Sequence, residues 1–207
     1  MSNKLLSFDV DSVLLDTEEV IFERINAVYN RVINAKDVTH WTFYMENFPS
    51  ILEYFGNPEL YEKVKPIYEM IEVMREVIEI YGANNIQLIT SSHSDMKEAK
   101  EAALRRFYGH LKDWEKIDII HVGLKDEDMG EGLESNISHH KHVFSENSIL
   151  IDDAIHNIED HLNHNHYNEA ILVDFGYGWN QNFTHSRAIR AKSAGSILDI
   201  IKRKLPR

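Results

Sequence analysis

Short continuous apolar runs alternate along this chain with stretches whose apolar residues recur every three or four positions. The runs Leu5 to Val10, Ile86 to Thr90, Ile117 to Val122, Ser148 to Ile151 and Ala170 to Phe175 predict strands. Ile155 to Leu162 predicts a short helix, and the polar, glycine-containing stretch Lys125 to Ser138 predicts a long loop. Strands alternating with helices are the signature of a parallel sheet wrapped by helices. The expected fold class is therefore α/β, a three-layer Rossmann-like parallel sheet.

The rhythm breaks between the first two strands, where the chain is far longer than one crossover helix requires. Ile21, Ile25, Val28 and Val32 repeat at helical spacing, with Asp16 as a cap and Glu19 as a first-turn acid. A second helix is expected to open at Pro66 and to carry Ile67, Met70, Ile71, Met74, Val77, Ile78 and Tyr81 on one face until Gly82 stops it. Between them lies an aromatic section, Trp41, Phe43, Tyr44, Phe48, Tyr54, Phe55 and Tyr61. The division expected is an α/β core of residues 1–16 and 67–207 and a small helical cap of residues 17–66, inserted over the carboxyl edge of the sheet.

At 207 residues the chain buries a substantial core, and the absence of cysteine excludes disulfides, zinc–thiolate sites and iron–sulfur clusters. The apolar stretch after Met1 is short and broken by Asp9 and Asp11, unlike a signal peptide, and no run reaches membrane-spanning length. The expectation is a cytoplasmic protein without membrane partners. A net charge of −12 argues against gripping a nucleic-acid polymer, whereas a small anionic ligand needs only local positive charge. Lys202 to Lys204 read as the basic last turn of a terminal helix, with Arg187 and Arg190 left open.

Ligands of an open parallel sheet bind beyond the carboxyl ends of its strands. Asp9 and Asp11 follow the first run, Thr90, Ser91 and Ser92 end the second, Asp152 and Asp153 end the fourth, and Lys141 precedes it. An acid pair at a strand end either terminates the ladder and caps a helix or compensates a hard cation such as Mg²⁺. Two such pairs, with hydroxyls and a lysine, supply what phosphoryl transfer through an aspartyl-phosphate requires. A carboxylate attacks phosphorus, cations and donors hold the phosphate oxygens, and a second acid manages the leaving-group proton.

These segments resemble the motifs of the haloacid dehalogenase superfamily: Asp9-Val10-Asp11-Ser12-Val13, Leu88-Ile89-Thr90-Ser91, Lys141-His142-Val143-Phe144 and Ile149-Leu150-Ile151-Asp152-Asp153. The resemblance implies Asp9 as nucleophile and Asp11 as acid/base that also offers its backbone carbonyl to Mg²⁺. It further implies Thr90, Ser91 and Lys141 on the phosphate, Asp152 as direct metal ligand, and Asp153 on the metal's water shell or orienting the lysine. Val13-Leu14, Asp16, the double Asp and Trp179-Asn180-Gln181-Asn182 leading to Arg187 are similar to the 5′(3′)-deoxyribonucleotidases, the 5′-nucleotidase type C group. That likeness implies a nucleotide substrate, with Trp41 and Tyr44 as candidate base-stacking residues. The chain departs from the family at Ser12, where glycine is usual, and offers Lys125 as a rival to Lys141; the spacing before the double Asp favours Lys141.

Other readings stand beside this one. Thr90 alone reads as a helix cap, and Trp41, Phe43 and Tyr44 as the small core of the cap itself. The histidines His139, His140 and His142, then His161, His164 and His166, lack the spacing of a metal site. The sequons Asn136-Ile137-Ser138 and Asn182-Phe183-Thr184 go unused in an intracellular chain. A sugar phosphate or a nucleic-acid 3′ phosphate is the alternative substrate, and a catalytically weak protein binding a phosphorylated ligand or a protein partner is the alternative class.

Overall fold

The computed structural model describes residues 5–40, 43–91, 94–122 and 141–206. The long loop expected at Lys125 to Ser138 lies outside them. A parallel sheet is built from β1 (Leu6–Phe8), β4 (Ile86–Ser91), β5 (Asp118–Val122), β6 (Ile149–Asp152), β7 (Glu169–Val173) and β8 (Ala188–Ala191), in the order β5-β4-β1-β6-β7-β8. Leu6, Ser7 and Phe8 pair with Ile86 to Leu88 on one side and Ile149 to Ile151 on the other. With partners on both edges and helices on both faces, β1 has no solvent side, so its residues are all buried. Its one polar residue is satisfied in the core: the Ser7 hydroxyl lies 2.6 Å from that of Ser148 and accepts from the Gln87 amide at 2.7 Å.

The period of two in β6 and β7 sorts their side chains to opposite faces. Leu150, Ala170 and Leu172 pack with Ile158 and Leu162 of α7 (Ile155–His164). Ile149, Ile151, Ile171 and Val173 face the larger core, shared with α5 (Tyr68–Tyr81) and the terminal α8 (Ala194–Lys204). These are the three layers that the apolar runs imply. Lys202, Arg203 and Lys204 do form the last turn of α8. Among the described residues no helix is long and apolar enough to cross a membrane.

After β1 the chain makes a short antiparallel pair, β2 (Leu15–Asp16) with β3 (Lys65–Pro66). Between these strands lie α1 (Thr17–Tyr29), α2 (Phe43–Asn47), α3 (Leu52–Phe55) and α4 (Glu59–Lys63). Asp16 caps α1 as its position suggests, its carboxylate accepting from the Glu19 N–H at 3.1 Å. Val32, however, is 81% exposed, because Asn30 adopts a left-handed conformation and ends α1 before it. The rings of Tyr29, Phe43, Tyr44, Phe48 and Phe55 form an edge-on and tilted cluster.

Two further features differ from the sequence-based expectation. Pro66 does not open a helix but pairs with Leu15, and the Ile67 N–H donates to the Leu14 carbonyl at 2.9 Å before α5 begins at Tyr68. In a two-stranded ribbon a residue without an N–H is tolerated at an edge, and that option defeats a helix-start rule based on proline. The sixth strand, β8, lacks a continuous apolar run because an edge strand shields only part of its surface. Gly82 does stop α5, with φ of 82°.

Candidate active site

β1 connects leftward to β4, and the chain later returns to place β6 on its right, so the strand order reverses at β1. A crevice opens there beyond the carboxyl ends. Asp9 lies directly past β1 and keeps the ladder going, its N–H donating to the Ile151 carbonyl at 2.8 Å. The chain then folds back on itself. Leu14 and Leu15 N–H groups donate to the Val10 carbonyl at 2.8 and 2.9 Å, and Ser12 N–H donates to Leu15 at 2.8 Å. This turn requires φ of 58° at Ser12, the left-handed region that favours glycine. The Tyr177 hydroxyl holds the turn by donating to the Ser12 carbonyl at 2.7 Å.

Lys141, 2% exposed, reaches between two strand ends. Its ammonium lies 2.8 Å from Asp9 Oδ1 and 3.0 Å from Asp152 Oδ2. Asp152 is fully buried and also accepts from the Ala154 N–H at 2.9 Å and the Asn157 amide at 3.1 and 3.2 Å. Asp153 accepts from the Trp179 indole at 3.1 Å, while the Asn180 amide ties the Asp153 carbonyl to that of Val173 at 3.1 and 2.8 Å. Asp9, Asp152 and Asp153 each offer an oxygen within 4.8 Å of the others, the one such group among the described residues.

Three buried carboxylates against one ammonium leave an excess of negative charge. Burial pushes Asp9 up to about 7, against the pull of Lys141 and with Asp152 and Asp11 adding to the rise. Asp153 is driven well above the usual carboxylate range by burial and then by Asp152. Burial alone lowers Lys141, but Asp152 and Asp9 outweigh it and hold the ammonium charged. An all-oxygen donor set with unneutralised charge fits a hard divalent cation.

Across the crevice, Thr90 is fully buried at the end of β4, its hydroxyl 3.5 Å from Asp11 Oδ2. The Ser91 hydroxyl is buried and has no partner among the described residues. Two groups here escaped the sequence reading. Lys100, fully buried on α6 (Lys97–Tyr108), donates to Asp11 Oδ2 at 2.6 Å, Thr90 Oγ1 at 2.7 Å and the Ser91 carbonyl at 2.9 Å. Tyr61 of α4 donates its hydroxyl to Asp11 Oδ1 at 2.9 Å. Both were present as signals: Lys100 shares the apolar stripe of Ala103 and Leu104, and Tyr61 closes the aromatic section.

Asp9, Asp11, Thr90, Ser91, Lys141, Asp152 and Asp153 thus meet in one crevice. Tyr44 does not join them. It is buried in the aromatic cluster, its hydroxyl donated to Glu18, whose own carboxyl is raised by burial to about 7. Trp41, Lys125, Ser92, His139, His140 and the Asn136 sequon lie outside the described residues.

Three further candidates, Arg187, Arg190 and His161, are structural. Arg187 donates to the carbonyls of Leu162, Asn165 and Asn168 at 2.6, 2.8 and 3.1 Å, closing the end of α7. Arg190 pairs with Asp174 at 3.0 Å and reaches the Asn180 and Phe183 carbonyls at 2.7 and 2.8 Å. His161 is a core histidine, pushed down to about 4 by burial and bonded to Ser145 at 2.7 Å.

A cavity of about 490 Å³ is lined by Phe22, Ile67, Phe175 and Tyr177 on its apolar side and by Glu18 and Lys192 among its polar groups, and Tyr177, whose hydroxyl holds the Ser12 turn, links it to the crevice.

A family model described as 5′ nucleotidase, deoxy (pyrimidine), cytosolic type C protein matches residues 3–205. Among solved structures, the chain is similar to a Mycobacterium tuberculosis protein described as protein tyrosine kinase A, with 13% identity, TM-score 0.62, and 97% and 99% of the two chains covered. It is similar also to a haloacid dehalogenase-like family hydrolase from Streptococcus pneumoniae, with 12% identity, TM-score 0.57 and coverage of 97% and 99%. A third likeness is to a putative phosphatase from Clostridium difficile, with 18% identity, TM-score 0.55 and coverage of 97% and 100%. These likenesses establish a shared haloacid dehalogenase-type fold. A comparison with curated proteins gives no match.

Proposed function

Because the chain belongs to the 5′ nucleotidase, deoxy (pyrimidine), cytosolic type C family, and so to the phosphoric monoester hydrolases, we propose that it hydrolyses nucleoside monophosphates through an aspartyl-phosphate on Asp9. The observation that carries this reading is the buried group of Asp9, Asp152 and Asp153, with Lys141 bridging Asp9 and Asp152, next to the end of β4, where the buried Ser91 hydroxyl has no partner among the described residues.

Asp9 Oδ attacks phosphorus, and the bond to the leaving oxygen breaks with its electron pair. Asp11 gives that oxygen a proton and then takes one from the water that attacks the acyl phosphate, returning Asp9 and free phosphate. Lys141, Thr90 and Ser91 hold the nonbridging oxygens as charge redistributes. Asp9, Asp152 and the Asp11 carbonyl would hold Mg²⁺, with Asp153 behind them; when bound, the ion supplies charge neutralisation at the phosphate oxygens.

Residues 17–66 act as the cap that chooses the substrate, and the adjoining cavity receives the nucleoside. Phe22, Phe175 and Tyr177 offer it flat apolar surface, and Glu18 accepts from hydroxyl or amino groups. The protein works in the cytoplasm. The test is phosphate release from a panel of 5′- and 3′-nucleoside monophosphates and sugar phosphates, with and without Mg²⁺, beside Asp9→Asn. Metal-dependent turnover of nucleotides that the substitution abolishes supports the reading. Folded protein that binds nucleotide without turnover refutes it in favour of a binding role.

A further inference from the structure

A fully buried lysine inside a helix's apolar stripe is costly unless every donor is used, and as an ion pair it is weak evidence for stability. Lys100 spends its three N–H donors on Asp11 Oδ2, Thr90 Oγ1 and the Ser91 carbonyl, at 2.6, 2.7 and 2.9 Å. Each partner belongs to the crevice, so α6 is tied to both sides of the reaction centre. The other oxygen, Asp11 Oδ1, faces Tyr61, whose hydroxyl stands 2.9 Å away and whose ring lies 5.1 Å from the lysine ammonium. Tyr61 is itself fixed from the same helix, since Arg106 donates to the carbonyls of Tyr61 and Val64 at 3.1 Å and of Glu62 at 3.3 Å.

We propose that Lys100 is a positioning residue for proton transfer: by occupying Oδ2 of Asp11 it leaves Oδ1 as the oxygen that carries the proton, and the Tyr61 hydroxyl marks where the substrate's leaving oxygen comes to rest. On binding, that oxygen displaces the Tyr61 hydroxyl from Oδ1, which accepts that hydroxyl in the free protein and takes up a proton from solvent as the substrate seats. In the first step it receives the Oδ1 proton as its bond to phosphorus breaks; in the second, water takes the same place and gives its proton back to Oδ1. Lys100 changes no charge during the cycle. It prevents the carboxyl from rotating, and it holds the Thr90 hydroxyl at a fixed distance from the acid.

This inference rests on Asp11 being the acid/base group, and the experiment separates the two. Values of kcat/KM are compared for a nucleoside monophosphate, whose alkoxide needs a proton to leave, and p-nitrophenyl phosphate, whose phenolate does not. They are measured with Mg²⁺ on wild-type, Lys100→Met and Lys100→Arg protein. A positioned general acid contributes about 10²–10⁴-fold, so Lys100→Met is expected to lower the nucleotide value by about 10²-fold or more and the aryl value by less than about tenfold. Lys100→Arg keeps the buried charge while moving the donor, so it shows the same selectivity at smaller amplitude even where the methionine variant does not fold. Equal losses on both esters, or none, overturn the proposal while leaving Asp11 as acid/base. A wild-type protein inactive on both overturns both.

Discussion

Replacing Lys141 with methionine removes the one ammonium between two buried carboxylates. Asp152 would keep the Ala154 N–H and the Asn157 amide, at 2.9 and 3.1 to 3.2 Å, but Asp9 would keep only the Val10 N–H at 2.7 Å. Breaking a buried ion pair by deleting one partner costs about 3–5 kcal/mol, and here one deletion strands two charges, which places the expected loss at the upper end. Against a total of about 5–15 kcal/mol this is measurable and survivable. The cost depends on pH with a definite sign. Asp9 already stands at about 7 with the lysine present and rises further without it. An acid whose folded pKa is raised contributes stability that is complete below its unfolded value, about 4, and is lost as pH climbs to the folded value. Urea unfolding of metal-free protein should therefore show a smaller difference between variant and wild type near pH 5, where Asp9 is protonated in both and the loss is that of the Lys141–Asp152 contact, and a larger one near pH 8, where the Asp9 share is added. Saturating Mg²⁺ should restore part of it at the higher pH, about 2.7 kcal/mol at a hundred times its Kd. A variant within about 1 kcal/mol of wild type at pH 8, or one penalised more in acid, would refute the charge balance drawn here.

Other expectations follow from single contacts. Asp9→Asn should lower phosphate release by at least about a thousandfold and leave no phosphate on protein quenched during turnover, as read by radiolabelled substrate. Ser12→Gly exchanges a left-handed strain of about 1–2 kcal/mol for glycine's entropy of about 0.5–1, so its unfolding free energy should lie within about 1 kcal/mol of wild type. Tyr44→Phe removes the hydroxyl donor from Glu18, which titrates at about 7, so a cost of about 1–3 kcal/mol should grow between pH 6 and 8 in thermal melts. Arg190→Ala leaves Asp174, 5% exposed, without its cation and should cost about 2–3 kcal/mol in denaturant with kcat unchanged.

The central strands were readable because the sheet buries both of their faces, which leaves mainly apolar runs at β1, β4, β6 and β7. Inside β1 and β4 they are broken only by Ser7 and Gln87, which satisfy each other in the core, before the polar strand end at Thr90 and Ser91. β8 was not, because Arg190 interrupts it and its outer edge has no partner strand among the described residues. Pro66 misled for a similar reason. A proline opens a helix or sits on an edge equally well, and only the pairing with Leu15, far back in the chain, decides between them. Ser12 was legible as a conflict: a side chain stands where the turn after Asp11 requires positive φ, and the structure answers with φ of 58° rather than a different turn.

The crevice follows the same logic. Asp9, Asp11, Thr90, Ser91, Asp152 and Asp153 announce themselves because each polar residue adjoins an apolar run, and strand ends converge by topology alone. Lys100 has no such neighbour. It contacts Asp11 across 89 residues of sequence, and Tyr61 does so across 50, from helices whose packing no local pattern specifies. The helix phase still held the information. Lys100 lies three and four positions before Ala103 and Leu104, so a helix that buries those residues buries the lysine as well. A buried ammonium must find an acid, and acids that end apolar strands are the ones a helix packed on the sheet can reach.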